Sequence, residues 1–157
     1  MIDRLYEGSS INLTNELKSL NDKKQFKKTL AILDQHDKNN ITTPSNFLIT
    51  QGLQACAQMG DLQRGKIIHN RIAHRVKDDI YLSTTLVQMY MECNDSASGQ
   101  SLFDSTKNKT PSMYGSMMKG YIKNKRAKKA VDVFNQIRNP NDIHMIMLLK
   151  ACAQLKT

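Results

Sequence analysis

Apolar residues recur along this chain with the spacing of helices. Ile49, Leu53 and Cys56, and again Tyr114, Met117, Met118 and Tyr121, return every three or four positions, which places each set on one helix face. The tract LQACAQMGDLQRG, which starts at Leu53, has a near copy in LLKACAQLK around Leu149, and LVQMYMECNDSASG and MMKGYIKNKRAKKA align between them. In that alignment Leu53 matches Val87, Met118 and Leu149, while Cys56 matches Tyr90, Tyr121 and Cys152, in steps of 34, 31 and 31 residues. A second amphipathic stretch follows each time and also lines up: Gly65 to His69, Gly99 to Phe103, Ala130 to Phe134. Short polar turns (MGD, CND, NKR) separate the two, and Ser45, Asp79, Ser112 and Asn141 are helix-start signals at the unit boundaries.

The predicted organisation is therefore a tail over 1–11, a degenerate helical pair over 12–45, further pairs over 46–79, 80–110 and 111–141, and the first helix of an incomplete unit over 142–157. One pair of short helices cannot bury its own apolar side, so successive pairs must stack. The expected fold is all-α, a right-handed α-solenoid of helix-turn-helix repeats. In the terminal helix, Met145, Leu148, Leu149 and Cys152 are left without a second helix to cover them, so self-association or a protein partner is expected at that edge.

Composition narrows the function. Twenty-three Lys and Arg against fourteen Asp and Glu leave a formal charge of +9, which favours a polyanionic partner. The three cysteines are scattered and form no CxxC, so neither a disulfide framework nor a zinc site is expected. No run of eighteen apolar residues is present, so no membrane span is expected. The amino-terminal twenty residues carry three acids and one Arg, unlike a signal peptide or an Arg-rich presequence.

The ordered stretches LQACAQMGDLQRGKIIH, YLSTTLVQMYMECNDSASGQSLFD and MYGSMMKGYIKNKRAKKAVDVFNQI followed by PND resemble pentatricopeptide repeats, in their mixed long-and-short subclass. On that resemblance 46–79 is a long-type repeat, 80–110 a short-type repeat and 111–141 a shortened standard one. The tetratricopeptide repeat, a peptide-binding scaffold, is the competing family. It wants a small residue where this chain has Leu53, Val87, Met118 and Leu149.

The resemblance implies a reader of single-stranded RNA that takes about one base per repeat. Carried onto this chain, the base-selecting pairs are Thr50 with Asp79, Thr84 with Thr110, Gly115 with Asn141, and Thr14 with Ser45. In the family a Thr with Asp pair favours guanine. Thr84 with Thr110 departs from the common pairs, Gly115 has no side chain to bond a base, and Ile146 stands at the matching place in the last helix. Phe47 and Tyr81 match the family's base-stacking wedges, with Ile143 a further match whose alternative is core packing. Lys123 matches a phosphate-binding lysine, and Lys119 and Lys125 flank it, whereas Gln58 and Glu92 occupy the corresponding places in earlier units. Such proteins act in organelles, so a mitochondrial location is implied, with the cytoplasm as the alternative.

Members of that subclass often carry a deaminase, whose chemistry needs His-x-Glu and Pro-Cys-x-x-Cys. Neither motif occurs, nor does a Gly-rich phosphate loop. No catalytic residue, metal or cofactor is expected, and an RNA-processing or RNA-editing role would be one of recognition.

Overall fold

A computed structural model describes the backbone of residues 2–39 and 44–156, and the side chains of 12–39 and 44–156. The described residues form nine helices and no strand: α1 (Ile2–Asp22), α2 (Phe26–Asn39), α3 (Asn46–Met59), α4 (Leu62–Val76), α5 (Ile80–Glu92), α6 (Ser96–Ser105), α7 (Pro111–Lys123), α8 (Ala127–Phe134) and α9 (Asp142–Leu155). Met1 and Thr157, at the ends of the predicted tail and last unit, lie outside the described residues. The predicted tail is corrected at its other side, because α1 already runs from Ile2. That stretch contains a single Gly and no Pro, so nothing in it stops the helix from extending past residue 12.

The helices pair into four hairpins and a terminal helix. Each odd-numbered helix packs on the next odd one, in the order α1, α3, α5, α7, α9. Each even-numbered helix packs on the odd helices before and after it, and α2 and α4 also meet through the ion pairs Arg64–Asp34 and Arg71–Asp37 at 3.0 and 2.9 Å. The odd helices therefore form a continuous row with the even ones behind it. The row of odd helices makes up one face of the helical-repeat solenoid, the inner face.

The same turn closes every hairpin. Lys24, Gly60, Asn94 and Lys125 adopt the left-handed conformation with φ of 59°, 67°, 64° and 60°. The amide of the following residue then donates back to Leu20, Cys56, Tyr90 or Tyr121 at 2.8 to 3.0 Å, which satisfies a carbonyl at the end of the first helix. Glycine reaches this conformation without the Cβ clash that burdens Lys. Lys24→Gly is expected to stabilise the fold by about 1 kcal/mol, read as a raised midpoint in urea.

Aligned apolar positions become core, divided between two successive clusters with Leu53, Cys56 and Tyr90 in one and Val87, Met118 and Tyr121 in the next. Leu53, Val87 and Met118 are fully buried, and Cys56, Tyr90 and Tyr121 are buried beside them. At the terminal helix the same positions are open: Leu149 is 67% exposed, Cys152 is exposed and Met145 is 45% exposed. Small residues recur where the second helices are crossed. Thr29, Gly65, Gly99 and Ala130 each lie five residues past the left-handed residue and are buried. A polar cluster ties the first hairpin to the second: Asn21 Nδ2 donates to the Gln51 carbonyl and Oε1 at 3.0 and 3.1 Å, and Thr29 Oγ1 donates to Asn21 Oδ1 at 2.8 Å. In the next unit the same role falls to Tyr90, whose hydroxyl lies 2.6 Å from His69 Nδ1.

Candidate nucleic-acid interface

The free face of the odd helices can be laid out from the turns. Thr14, Thr50, Thr84 and Gly115 each stand ten residues before a left-handed turn residue, and so occupy equivalent places in four successive helices. Three residues earlier in the later helices stand Phe47, Tyr81 and Ser112, with Ile143 equivalent in α9. Phe47 is 51%, Tyr81 79% and Ile143 59% exposed. An exposed aromatic ring on a soluble surface retains its full stacking face. Ile143 is thus not a core residue, and Ser112 leaves a gap in this row. Ile146, equivalent to Gly115, is also exposed.

Of the sequence-derived pairs, Thr84 and Thr110 touch directly, while Thr50 and Asp79 are linked through Asn46. Thr84 Oγ1 and Thr110 Oγ1 are 3.2 Å apart. The Thr84 hydroxyl hydrogen is directed to the Ile80 carbonyl at 2.7 Å, so Thr110 is the donor between the two. Thr110 also accepts from the Met113 amide and is the N-cap of α7, with Pro111 at the first helical position. This corrects the expectation of a start at Ser112. Proline at N1 lacks only an amide hydrogen that has no helical partner there, so the cap falls one residue before it.

Asp79 caps α5 by accepting from the Tyr81 and Leu82 amides through Oδ1, at 2.9 and 3.1 Å. Its other oxygen, Oδ2, accepts from Asn46 Nδ2 at 2.7 Å. Thr50 donates to the Asn46 carbonyl at 2.8 Å, so the α3–α5 junction gathers Asn46, Thr50 and Asp79. Asn141 caps α9 in a closed box: His144 N donates to its Oδ1 and its own amide donates to His144 Nδ1. With Nδ1 accepting, the proton sits on His144 Nε2, which donates to the Pro111 carbonyl at 2.9 Å. A Cβ on Gly115 would meet nothing closer than that Nε2, at 4.0 Å. Ser45 is exposed and caps α3 through the Leu48 amide. Thr14 is 7% exposed, so its hydroxyl is not open to the surface as those of Thr50 and Thr84 are.

Lysines meet an acid where sequence reasoning foresaw only repulsion. Glu92, whose side chain is 18% exposed, accepts from Lys119 at 2.7 Å and lies 3.6 Å from Lys123. The carboxylate holds both ammonium groups on the inner face and leaves the trio with one net positive charge. Lys125 is exposed in the turn beyond them. The cysteines offer no ready nucleophile at Cys56, where burial pushes the thiol up to about 12. Among the described residues no group of three or more His, Cys, Asp or Glu is placed to hold a metal ion, and no helix is long and apolar enough to cross a membrane.

A family model described as the PPR repeat matches residues 112–139, the α7–α8 hairpin. The α7–α8 hairpin is a pentatricopeptide repeat. It is similar to a chloroplastic pentatricopeptide repeat-containing protein of Arabidopsis thaliana, 30% identical over 71% of this chain and 19% of the relative. A second chloroplastic member from the same plant is 31% identical over 80% of this chain and 18% of its own length. A mitochondrial one is 27% identical over 72% and 13%. The chain thus spans less than a fifth of the length of these relatives. Pentatricopeptide repeat proteins are RNA-binding helical-repeat proteins.

Two further columns complete the inner face. Lys18, Gln54, Gln88, Lys119 and Lys150 occupy one equivalent position, and Asp22, Gln58, Glu92, Lys123 and Gln154 the next, one helical turn further on. Gln54, Gln58 and Gln88 line a shallow cleft of ≈ 330 Å³ with Asn21, Asp22, Lys24 and Phe26. The face is amide-rich over α1–α5 and basic over α7–α9. Sequence reasoning missed Gln54, Gln88 and Lys150, although the repeat register would have found them as the residues four places after Thr50, Thr84 and Ile146.

Proposed function

We propose that this chain binds single-stranded RNA along the row of odd helices, without catalysis, as the recognition part of an organellar RNA-processing or RNA-editing factor. The observation that carries the reading is the recurrence, in two successive units, of an exposed aromatic side chain beside a polar junction. Phe47 stands beside Thr50 and Asp79, and Tyr81 beside Thr84 and Thr110. Stacking on the first and hydrogen bonding by the second is the division of labour by which helical repeats read unpaired bases. Phosphates are met by Lys119, Lys123, Lys125 and Lys150 at the basic end.

The hydroxyl hydrogens at both junctions are spent inside the protein, so Thr50, Asp79, Thr84 and Thr110 offer acceptors only. At Thr50 and Asp79 a carboxylate adds negative charge. That combination suits a base edge rich in donors, and the N1–H and N2–H₂ of guanine supply two side by side. The division into long-type, short-type and standard repeats fits this reading, and so does an organelle, since the relatives named above are chloroplastic and mitochondrial proteins.

Selection from randomised single-stranded RNA, with duplex DNA as competitor and at several salt concentrations, is the test. Base enrichment that survives physiological salt, with a guanine lost in Asp79→Ala, is the expected result. Binding that vanishes with salt and ignores strandedness would mean that net charge alone was responsible, and would favour a protein-binding scaffold.

A further inference from the structure

We propose that Asn46, held by Arg75, is a positioning residue that sets the base preference of Asp79; this rests on the reading of Thr50 and Asp79 as a base-selecting pair. Asp79 has two oxygens with different neighbours. Oδ1 accepts from two α5 amides, and the bending those bonds tolerate lets the planar carboxylate rock about the Cβ–Cγ bond, carrying Oδ2 with it. Asn46 removes that freedom, because its Nδ2 donates to Oδ2 at 2.7 Å across the gap between α3 and α5.

The amide is itself not free to turn over. Arg75 Nη1, from the end of α4, donates to Asn46 Oδ1 at 2.9 Å and to the Pro44 carbonyl at 2.8 Å. A guanidinium has no acceptor, so only the oxygen of Asn46 can face Arg75 and only the nitrogen can face Asp79. The order Arg75, Asn46, Asp79 runs one way, from a permanent cation to the carboxylate. Oδ1 has both lone pairs engaged and Oδ2 one, so a single aimed acceptor site remains for a base. Orienting one acceptor, rather than offering two in a rotating group, turns an attraction for any donor into a preference among donors.

The relay belongs to this unit. Ile80 and Pro111 occupy the first position of α5 and α7, where Asn46 stands in α3, and neither has a side-chain donor. The junctions at Thr110 and Asn141 are built by hydroxyl pairing and by the His144 box instead. A sharper preference is therefore expected at the nucleotide facing Thr50 than at its neighbours.

The test uses the full chain and a randomised single-stranded RNA library, comparing wild type with Asn46→Ala, Arg75→Met, Asp79→Ala and the Asn46→Ala/Asp79→Ala double variant. Asn46→Ala is expected to lower the guanine preference roughly three- to tenfold while affinity for the unselected library stays within about twofold. Arg75→Met is expected to do the same, and adding Asn46→Ala to Asp79→Ala to change nothing further. If Asp79→Ala leaves the wild-type profile intact, the base-selecting reading itself is overturned. If Asp79→Ala abolishes the preference but Asn46→Ala leaves it unchanged, only the positioning role is overturned. A loss of affinity for every sequence alike, together with a lowered melting temperature, would assign Asn46 to packing instead.

Discussion

Replacing Lys119, Lys123 and Lys150 together by glutamine is expected to weaken binding to single-stranded RNA about a hundredfold near 0.1 M salt and to flatten its salt dependence. On single strands log K falls with log salt at a slope of about −0.7 for each phosphate neutralised, so one contact is worth roughly fivefold between 1 M and 0.1 M. Three such contacts multiply to about two orders of magnitude. All three lysines are exposed and lie at the basic end of the inner face. Glutamine at position 119 can still donate to Glu92, so the carboxylate keeps a hydrogen-bond partner when the ammonium groups are removed. Glu92→Gln should act in the opposite direction, tightening binding by about fivefold, because it releases one unit of positive charge now neutralised on that face. Anisotropy titrations of a labelled random-sequence oligonucleotide across a salt series give both slope and affinity. An unchanged slope in the triple variant would remove RNA phosphate from this face.

The two signs depend on a contact invisible in one dimension. Glu92 and Lys119 are 27 residues apart, and a linear reading sees an acid at a place where a phosphate-binding lysine is wanted. Only when α5 and α7 lie side by side does the acid become the group that gathers two lysines. The fold class itself was legible because it rests on local signals. The 3.6-residue period, the turn tripeptides and the repeated Leu and Cys columns all act within one hairpin, and stacking follows from their incomplete burial. The start of α1 was misjudged for the complementary reason, since a helix lacking a breaker can run on past its repeat unit. The register of Thr50, Thr84 and Gly115 could be read from the aligned tracts. The surroundings of Asp79 could not, because Asn46 reaches it from α3 and is held in turn by Arg75 from α4. Gln54, Gln88 and Lys150 were passed over because nothing in a single helix marks which of its polar positions faces inward.

Gly120→Ala is expected to destabilise the array by about 2 kcal/mol, although alanine is the better helix former. A Cβ at this position would lie 2.5 Å from Met91 Cε and 2.8 Å from Met91 Cβ. The terminal methyl can swing aside, but the Cβ of Met91 is fixed to the backbone of α5, so relief requires α5 and α7 to separate. Separation would open the contact around Val87, Met117 and Met118, all fully buried. Gly115→Ala, one turn and a half earlier in the same helix, meets nothing within 3.9 Å and should instead stabilise by about 0.5–1 kcal/mol through its helix preference. Urea denaturation of the two variants decides between close approach and propensity, because propensity alone predicts the same sign for both. In Met91→Ala/Gly120→Ala the methionine Cγ, sulfur and methyl are gone, so the double variant should be less destabilised than the two single changes summed. The junction at stake also sets the distance between Thr84 and Gly115, the inward positions of α5 and α7. A chain whose α5 and α7 are forced apart should therefore lose sequence preference in RNA selection before it loses its helical content.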